Sequence, residues 1–88
     1  MNTVAVQVPP ALCSYTGDTR VQAEGDTLAA LFLDLDRRYP GLRFRVVDEQ
    51  GLLRRHLRLF VNGQGERDLQ RATAPGDSVA LVLALSGG

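Results

Sequence analysis

The residues with the clearest chemical potential stand at the end of the sequence, where the apolar pattern gives way to Ser86-Gly87-Gly88. Glycine has no Cβ, so its backbone can enter narrow channels and adopt angles that other residues cannot. Three extended residues span about 10 Å, which is enough to place a terminal carboxylate inside the active site of another protein. A frayed terminus of small residues would look the same, so the tail alone leaves both interpretations open.

A terminal carboxylate must be activated before it can react as an acyl group. Its pKa is about 3.5, so at neutral pH it is an anion and a poor electrophile. Adenylation by ATP would give an anhydride that a sulfur nucleophile can attack. The sequence contains no phosphate-binding loop and no dinucleotide fingerprint. We therefore expect another protein to supply the activating machinery, and this chain to be a carried cosubstrate rather than an enzyme.

Cys13 and His56 are the other residues that could do chemistry, and neither has an evident partner in the sequence. A single cysteine excludes an internal disulfide and a cysteine-based metal cage. Cys13 could be a sulfur-relay thiol, although an isolated cysteine is more often a small apolar residue. We interpret His56 as structural or exposed. We accordingly predict no metal site and no cofactor.

Length and composition are typical of one small globular domain. The chain has 88 residues, of which 44% are hydrophobic and 23% charged. No segment approaches the run of about 18 apolar residues that a membrane span needs, and no basic stretch leads into an apolar run at the N-terminus. The net charge of zero argues against general nucleic-acid binding. We expect a cytoplasmic protein without nucleic-acid or membrane partners.

The basic residues are all arginines, and seven of the ten lie between Arg37 and Arg58. Such a run is typical of a solvated face. The functional alternative is a docking surface for an acidic partner protein, since few aromatic residues interleave with the charges as nucleic-acid binding would require. The absence of lysine means that the chain has no side-chain amine of its own to which a tail could be joined.

Two strands are predicted near the N-terminus. Valine recurs at every second position over 3–8, which is strand periodicity, and Pro9-Pro10 ends the run. Alternation resumes over 19–24, and the intervening residues 11–18 look like a loop. The sequence therefore predicts a hairpin with a long connection.

A helix follows this hairpin. Asp26 or Thr27 can cap its N-terminus, and Pro40-Gly41 ends it. Five apolar residues at helical spacing form its buried stripe: Leu28, Leu31, Phe32, Leu35 and Tyr39.

The remaining predicted elements are one or two helical turns within 42–55 with a break at Gly51, a strand over 57–61, a minor edge strand over 66–69, a turn over 74–77 and a final strand over 78–85. Asn62-Gly63 is a strong hairpin signal. The final strand is apolar on both faces, so we expect it to pair with the first strand at the centre of the sheet. One helix on one face of a mixed sheet gives a two-layer α+β fold.

Four segments together carry a resemblance to a known family: Gly25-Asp26-Thr27-Leu28, Phe60-Val61-Asn62-Gly63, Pro75-Gly76-Asp77-Ser78-Val79 and the final Gly87-Gly88. In this order and spacing, the chain resembles the MoaD/ThiS family of sulfur carriers, relatives of ubiquitin, over nearly its whole length. The resemblance implies a β-grasp (ubiquitin-like) fold, with a mixed four- to five-stranded sheet and one main helix packed on one face. We predict a domain over 1–85 and a flexible tail over 86–88.

The resemblance also implies a mechanism. An enzyme resembling a ubiquitin E1 would adenylate Gly88, and sulfur from a persulfide or another donor would convert its carboxylate to a thiocarboxylate. The carrier would then deliver the sulfur to a biosynthetic enzyme. Gly88 would supply the reacting carbonyl and Gly87 the slim approach to it.

The receiving enzyme depends on the branch of the family. The chain looks like either the small subunit of molybdopterin synthase or the carriers that feed cysteine synthesis, so the acceptor would be a molybdopterin-synthase large subunit or a cysteine synthase. The segment 42–55 and the lead Arg54-Arg55-His56-Leu57 favour the cysteine type. Many family members have proline where this chain has Leu83, which leaves the branch open.

A partner-binding surface is predicted beside the tail, on strand residues that face away from the helix. Its members are Arg58, Phe60, Val82, Ala84, Leu85 and Ser86. This placement requires Val79, Leu81 and Leu83 to face the core. In the opposite register Phe60 would itself be a core residue.

Two other functions are compatible with the same sequence. One is a protein modifier that is conjugated through Gly88 to lysines of other proteins. The other is an interaction module whose tail is inert.

Overall fold

The computed structural model describes residues 2–84. In chain order its elements are β1 (Thr3–Gln7), a 3₁₀ turn (Pro10–Leu12), α1 (Cys13–Thr16), β2 (Arg20–Glu24), α2 (Leu28–Arg38), α3 (Leu42–Val46), β3 (Leu57–Val61), β4 (Gln64–Glu66) and β5 (Ser78–Leu83). The five strands form one sheet in the order β2-β1-β5-β3-β4. β1 and β5 are parallel, and all other neighbours are antiparallel. The prediction that the first and last strands pair at the centre is confirmed.

The core lies between α2 and one face of the sheet. Four stripe residues of α2 are almost fully buried: Leu28, Leu31, Phe32 and Leu35. They pack on inward-facing strand residues that include Val4, Val6, Leu59, Val79 and Leu81. Burial of each large apolar side chain contributes about 1.5–3 kcal/mol, so this interface is the main source of stability. The predicted two-layer arrangement is confirmed.

The N-terminus of α2 is held by both a side chain and the main chain. The Thr27 hydroxyl accepts a hydrogen bond from the Ala30 amide at 3.1 Å. The amides of Leu28 and Ala29 donate to the carbonyls of Arg71 and Leu69 at 3.0 and 2.8 Å. Every one of these amides would otherwise lack an intrahelical acceptor. The 69–71 segment therefore closes the start of the helix.

Gly25 joins β2 to α2 at a point where no side chain fits. A Cβ at this position would lie 2.4 Å from the Leu31 amide nitrogen. The buried Thr73 hydroxyl donates to the Gly25 carbonyl, and the Thr73 amide donates to the Asp26 carbonyl at 3.0 Å. The Gly25-Asp26-Thr27-Leu28 segment is therefore a tightly packed connection between β2 and α2.

The β3–β4 turn is linked to the turn before β5. Asn62 and Gly63 both have positive φ, 52° and 84°, as a two-residue hairpin requires. The Asn62 side chain donates to Asp77 Oδ1 and accepts from the Ser78 amide, both at 3.0 Å. Hydrogen bonds from Asn62 and from the Ala74 amide lower the pKa of Asp77. These bonds fix the entry of the chain into β5.

Two predicted boundaries are wrong. Residues 11–18 are not a plain loop, because Pro10 starts a 3₁₀ turn, α1 follows, and Gly17 ends it with a φ of 75°. The buried Leu12 anchors this segment on the core. The minor strand lies at Gln64–Glu66 rather than 66–69, because pairing resumes directly after the two-residue turn. The helical turn predicted within 42–55 is confirmed as α3.

Candidate functional site

The site begins where β5 ends. Leu83 pairs with Leu57 at the last rung of the β3–β5 ladder, and the Ala84 amide donates to the His56 carbonyl at 2.8 Å. β1 pairs with the first half of β5, whereas the end of β5 next to the tail is paired with β3 alone. The predicted reacting residues Gly87 and Gly88, and the predicted contact residues Leu85 and Ser86, lie outside the described residues.

The described members of the predicted partner surface lie together on the outer face of the sheet. Arg58 pairs with Val82, and Phe60 pairs with Ala80. Arg58 is exposed, Val82 is 45% exposed, and Phe60 and Ala84 are half-buried. We call Arg58, Phe60, Ala80, Val82 and Ala84 the outer-sheet patch.

The register of the final strand decides between the two predicted placements of Phe60. Val79 and Leu81 are buried and Leu83 packs against the core, whereas Phe60 faces away from α2. The alternative in which Phe60 belongs to the core is therefore excluded. Whether the patch binds a partner stays a prediction at this point.

Two residues of the site were missed in the sequence. Ala80 pairs with Phe60 on one side and Gln7 on the other, so it forms the floor of the patch. Its alternation with Val82 could have identified it. Arg67 donates to the carbonyls of Leu57 and Leu53, both at 3.0 Å, and satisfies backbone acceptors beside the edge of β3. No sequence signal links an arginine to main-chain carbonyls ten or more positions away.

Cys13 and His56 show no catalytic arrangement with one another. Cys13 is half-buried against the core and its thiol lies 3.7 Å from the Pro9 carbonyl. His56 is exposed and contributes its carbonyl to the end of the β3–β5 ladder. Within residues 2–84, no group of three or more His, Cys, Asp or Glu side chains could hold a metal ion. Over the same range, no helix is long and apolar enough to cross a membrane.

The predicted arginine run is divided between two surfaces. Arg37 and Arg38, on α2, bind Asp34 at 2.7 and 2.8 Å, and Arg38 also reaches Glu24. Arg45 and Arg54 lie near α3 and form no ion pair within the described part of the chain. The arginines of the run therefore differ in their pairing: Arg37 and Arg38 are neutralised by Asp34, whereas Arg45 and Arg54 are not.

Asp34 is the centre of the paired group. Burial raises the pKa of its carboxyl, but hydrogen bonds from the Glu24 amide and from Arg37 and Arg38 outweigh that effect and lower the pKa from 3.8 to about 2. The Glu24 amide donates at 2.8 Å, which ties α2 to the edge strand β2. This cluster therefore has a structural role, because it holds α2 against β2.

A mixed five-stranded sheet that carries one main helix, and whose central strand leads into a tail of small residues, defines a ubiquitin-like carrier domain. The ThiS family model matches residues 6–88, and the chain belongs to that family.

The relatives agree with this assignment over nearly the full chain. The sulfur carrier protein CysO of Mycobacterium tuberculosis (strain ATCC 25618 / H37Rv) is 38% identical over 91 aligned positions, which cover 97% of this chain and 98% of that protein. The crystal structure of M. tuberculosis CysO superposes with a TM-score of 0.87 at 36% identity, covering 93% of this chain and 99% of that one.

Two further solved structures extend the comparison. The CysO-containing structure of the Amycolatopsis orientalis BexX/CysO complex matches with a TM-score of 0.87 at 29% identity, over 97% of this chain and 99% of that one. SAMP1 from Haloferax volcanii matches with a TM-score of 0.81 at 29% identity, over 99% of this chain and 100% of that one. The predicted β-grasp fold, the predicted family and the predicted function as a sulfur carrier rather than an enzyme are confirmed.

Proposed function

We propose that the carboxylate of Gly88 is adenylated by a separate E1-like enzyme and converted to a thiocarboxylate, which donates sulfur in cysteine biosynthesis. The observation that carries the proposal is the family match over 6–88, which includes Gly87-Gly88, on a fold whose central strand leads to those residues. The similarity to proteins named CysO favours the cysteine branch over the molybdopterin branch.

The reaction balances in two steps. A carboxylate oxygen of Gly88 attacks the α-phosphorus of ATP, forming an acyl adenylate and releasing pyrophosphate. Hydrosulfide then attacks the acyl carbon, the bond to the adenylate oxygen breaks, and AMP leaves. The product has one oxygen of the carboxylate replaced by sulfur. Gly87 has no side chain to obstruct either attack.

The outer-sheet patch is the surface that we assign to the activating enzyme, together with Leu85 and Ser86. Its combination of an aromatic ring, small apolar groups and an arginine is the composition that protein interfaces favour. It lies directly beside the root of the tail, so a partner that covers it also receives the tail. A related CysO protein forms a complex with a second protein, BexX, in the Amycolatopsis structure. The reaction needs ATP, and we place it in the cytoplasm.

The test is the intact mass of the full chain before and after incubation with a cognate activating enzyme, ATP and sulfide. The expected gain corresponds to the exchange of one oxygen for one sulfur. The gain should disappear on deletion of Gly88 and in reactions without ATP. No gain with an active enzyme and a folded, intact chain would overturn the proposal.

Cys13→Ser is the matched control for the position of the sulfur. Because Cys13 is the one thiol in the sequence, a persulfide on it would add a whole sulfur atom rather than exchange one. The variant should show the same exchange as the parent chain. If Cys13→Ser showed no mass gain, the sulfur would have to be carried by the Cys13 thiol rather than by the tail.

A second candidate function is protein modification. The observation that favours it is the similarity to SAMP1 of H. volcanii, which is a small archaeal modifier protein. A modifier would accumulate in heavier lysine-linked adducts in cell extracts, whereas a sulfur carrier would be recovered as the free chain. Mass spectrometry of the protein isolated from cells separates the two.

A further inference from the structure

A concave surface separate from the outer-sheet patch lies at the root of the tail. It is a groove of about 540 Å³ between α1, α3 and the segment before β3, and it extends to Leu83 at the end of β5. We call it the tail-root groove. The lining residues that matter here are Tyr15, Phe44, Glu49, Arg45, Arg54 and Leu83.

Arg45 is positioned in the groove by Tyr15. Its Nε donates to the Tyr15 hydroxyl at 2.7 Å, and its Cζ lies 5.9 Å from the centre of the Tyr15 ring. This contact links α3 to α1, thirty positions apart in the chain. The bond uses Nε, and within residues 2–84 no hydrogen bond involves the two terminal nitrogens of this guanidinium.

Arg54 is held in the same manner by Phe44. Its Nε donates to the Phe44 carbonyl at 2.6 Å, and its Cζ lies 4.8 Å from the centre of the Phe44 ring. Phe44 is 63% exposed, so the stacked pair faces solvent. An arginine stacked on an exposed ring loses less conformational freedom when it binds a carboxylate than an unrestrained one.

The charge of the groove is not balanced internally. Glu49 is its one acidic lining residue, and neither Arg45 nor Arg54 has an ion-pair partner within residues 2–84. Arg37 and Arg38, by contrast, are paired on α2. Two oriented guanidinium groups whose terminal donors have no partner among residues 2–84 form a site for carboxylates, which they can bind in a bidentate manner.

We propose that the tail-root groove docks an acidic segment of the activating enzyme while the tail enters that enzyme's active site. This proposal rests on the proposed function, because the partner is taken to be the enzyme that activates Gly88. Charge complementarity selects carboxylates, and the Tyr15 and Phe44 rings provide apolar walls suited to a peptide. The groove reaches Leu83, the last residue of β5, which shortly precedes the tail in the sequence.

The first experiment measures peptide binding to the full chain without any enzyme. The ¹⁵N-labelled protein is titrated with an acetylated, amidated six-residue peptide that alternates glutamate with leucine, at low and at moderate salt. Amide shift changes are expected at the groove, around Tyr15, Phe44, Arg45 and Arg54. The Arg45→Gln/Arg54→Gln double variant should bind at least about tenfold more weakly, as expected for the loss of charge-assisted hydrogen bonds.

Two further variants make this titration specific. Arg20→Gln/Arg55→Gln removes the same charge from two exposed arginines that do not line the groove, and its affinity should stay within about twofold of the parent chain. Glu49→Gln removes the opposing charge and should bind the peptide more tightly. Shift changes spread over all arginines, or equal losses in both double variants, would show general charge attraction and overturn the proposal.

The second experiment links the groove to the partner. In the activation assay, Arg45→Gln/Arg54→Gln should raise the KM for the carrier about tenfold and leave kcat within about twofold, because the tail chemistry is untouched. An unchanged KM would overturn the assignment to the activating enzyme. If no variant gains sulfur, the proposed function has failed, whereas the peptide titration still reports on the groove by itself.

Discussion

At the scale of single residues, the family-like segments that lie within residues 2–84 have structural roles. Gly25 makes room for the Leu31 amide, and Asn62 bonds with Asp77 and Ser78 to fix the start of β5. The segments within residues 2–84 that carry the family resemblance therefore build the domain, and the chemistry that we propose is assigned to Gly88.

Gly25→Ala tests the closest of these contacts. The new Cβ would lie 2.4 Å from the backbone of Leu31, which cannot move without shifting α2. We expect a loss of about 2 kcal/mol or more in the free energy of unfolding, measured by urea denaturation. Gly65→Ala is the control, because its Cβ would make an ordinary 3.9 Å contact with Phe60. Equal effects of the two substitutions would contradict this account.

Asp34 gives a pH dependence whose direction follows from its lowered pKa. The folded-state pKa is about 2, against an ordinary value of 3.8. The contribution of the Asp34 carboxylate to the free energy of unfolding is therefore fully present above the unfolded-state pKa and disappears as the pH falls towards 2. Asp34→Asn should cost about 2 kcal/mol at pH 7, and the difference from the parent chain should shrink below pH 4.

The control for this measurement is Glu49→Gln. Glu49 is exposed and has no ion pair within residues 2–84. Its substitution should change the stability by less than about 0.5 kcal/mol at any pH. A constant gap between the parent chain and Asp34→Asn from pH 7 to pH 2 would show that the Asp34 cluster does not depend on the carboxylate charge.

At the scale of elements, the sheet and α2 follow from periodicity and end signals in the sequence. Alternation indicates β1 and β2, an apolar run on both faces indicates β5, and the apolar stripe indicates α2. The short helical pieces at 10–16 were missed because three or four residues cannot show a helical period; they form because Leu12 is anchored in the core. The start of β4 was placed wrongly because it is set by the two-residue turn at Asn62-Gly63 and not by the composition of the strand.

The cap of α2 can be tested as an element boundary. Thr27→Ala removes the hydroxyl that accepts from the Ala30 amide and should cost about 1 kcal/mol. Thr27→Ser keeps an acceptor in the same place and should retain most of the stability. The comparison by thermal or urea unfolding separates capping from a general effect of substitution. Similar losses in both variants would assign the role to the threonine methyl group.

At the scale of the whole molecule, β5 connects the core to the tail while its outer residues form part of the outer-sheet patch. Sequence alternation predicted this double role, since β5 carries Val79 and Leu81 inward and Val82 outward. The tail-root groove could not be predicted, because it brings together Tyr15, Phe44 and Arg54 from three separate segments. Only the folded chain places them beside Leu83.

Phe60→Ala tests the patch as a recognition surface in the activation assay. Loss of a central aromatic contact should raise the KM for the carrier about tenfold and leave kcat unchanged. Leu33→Ala is the matched control, because Leu33 is 57% exposed on α2, on the opposite side of the molecule from the patch. If the two variants had equal KM values, the patch would not be part of the interface with the activating enzyme.

The parallel pairing of β1 with β5 also has a mechanical consequence. A force that pulls the tail away from the N-terminus acts along both strands in opposite directions. The rungs Ala5–Ser78, Val6–Val79 and Gln7–Ala80 then bear the load together in shear, rather than opening one after another as at the end of a hairpin. Separation of β1 from β5 under such a force therefore requires all three rungs to break together.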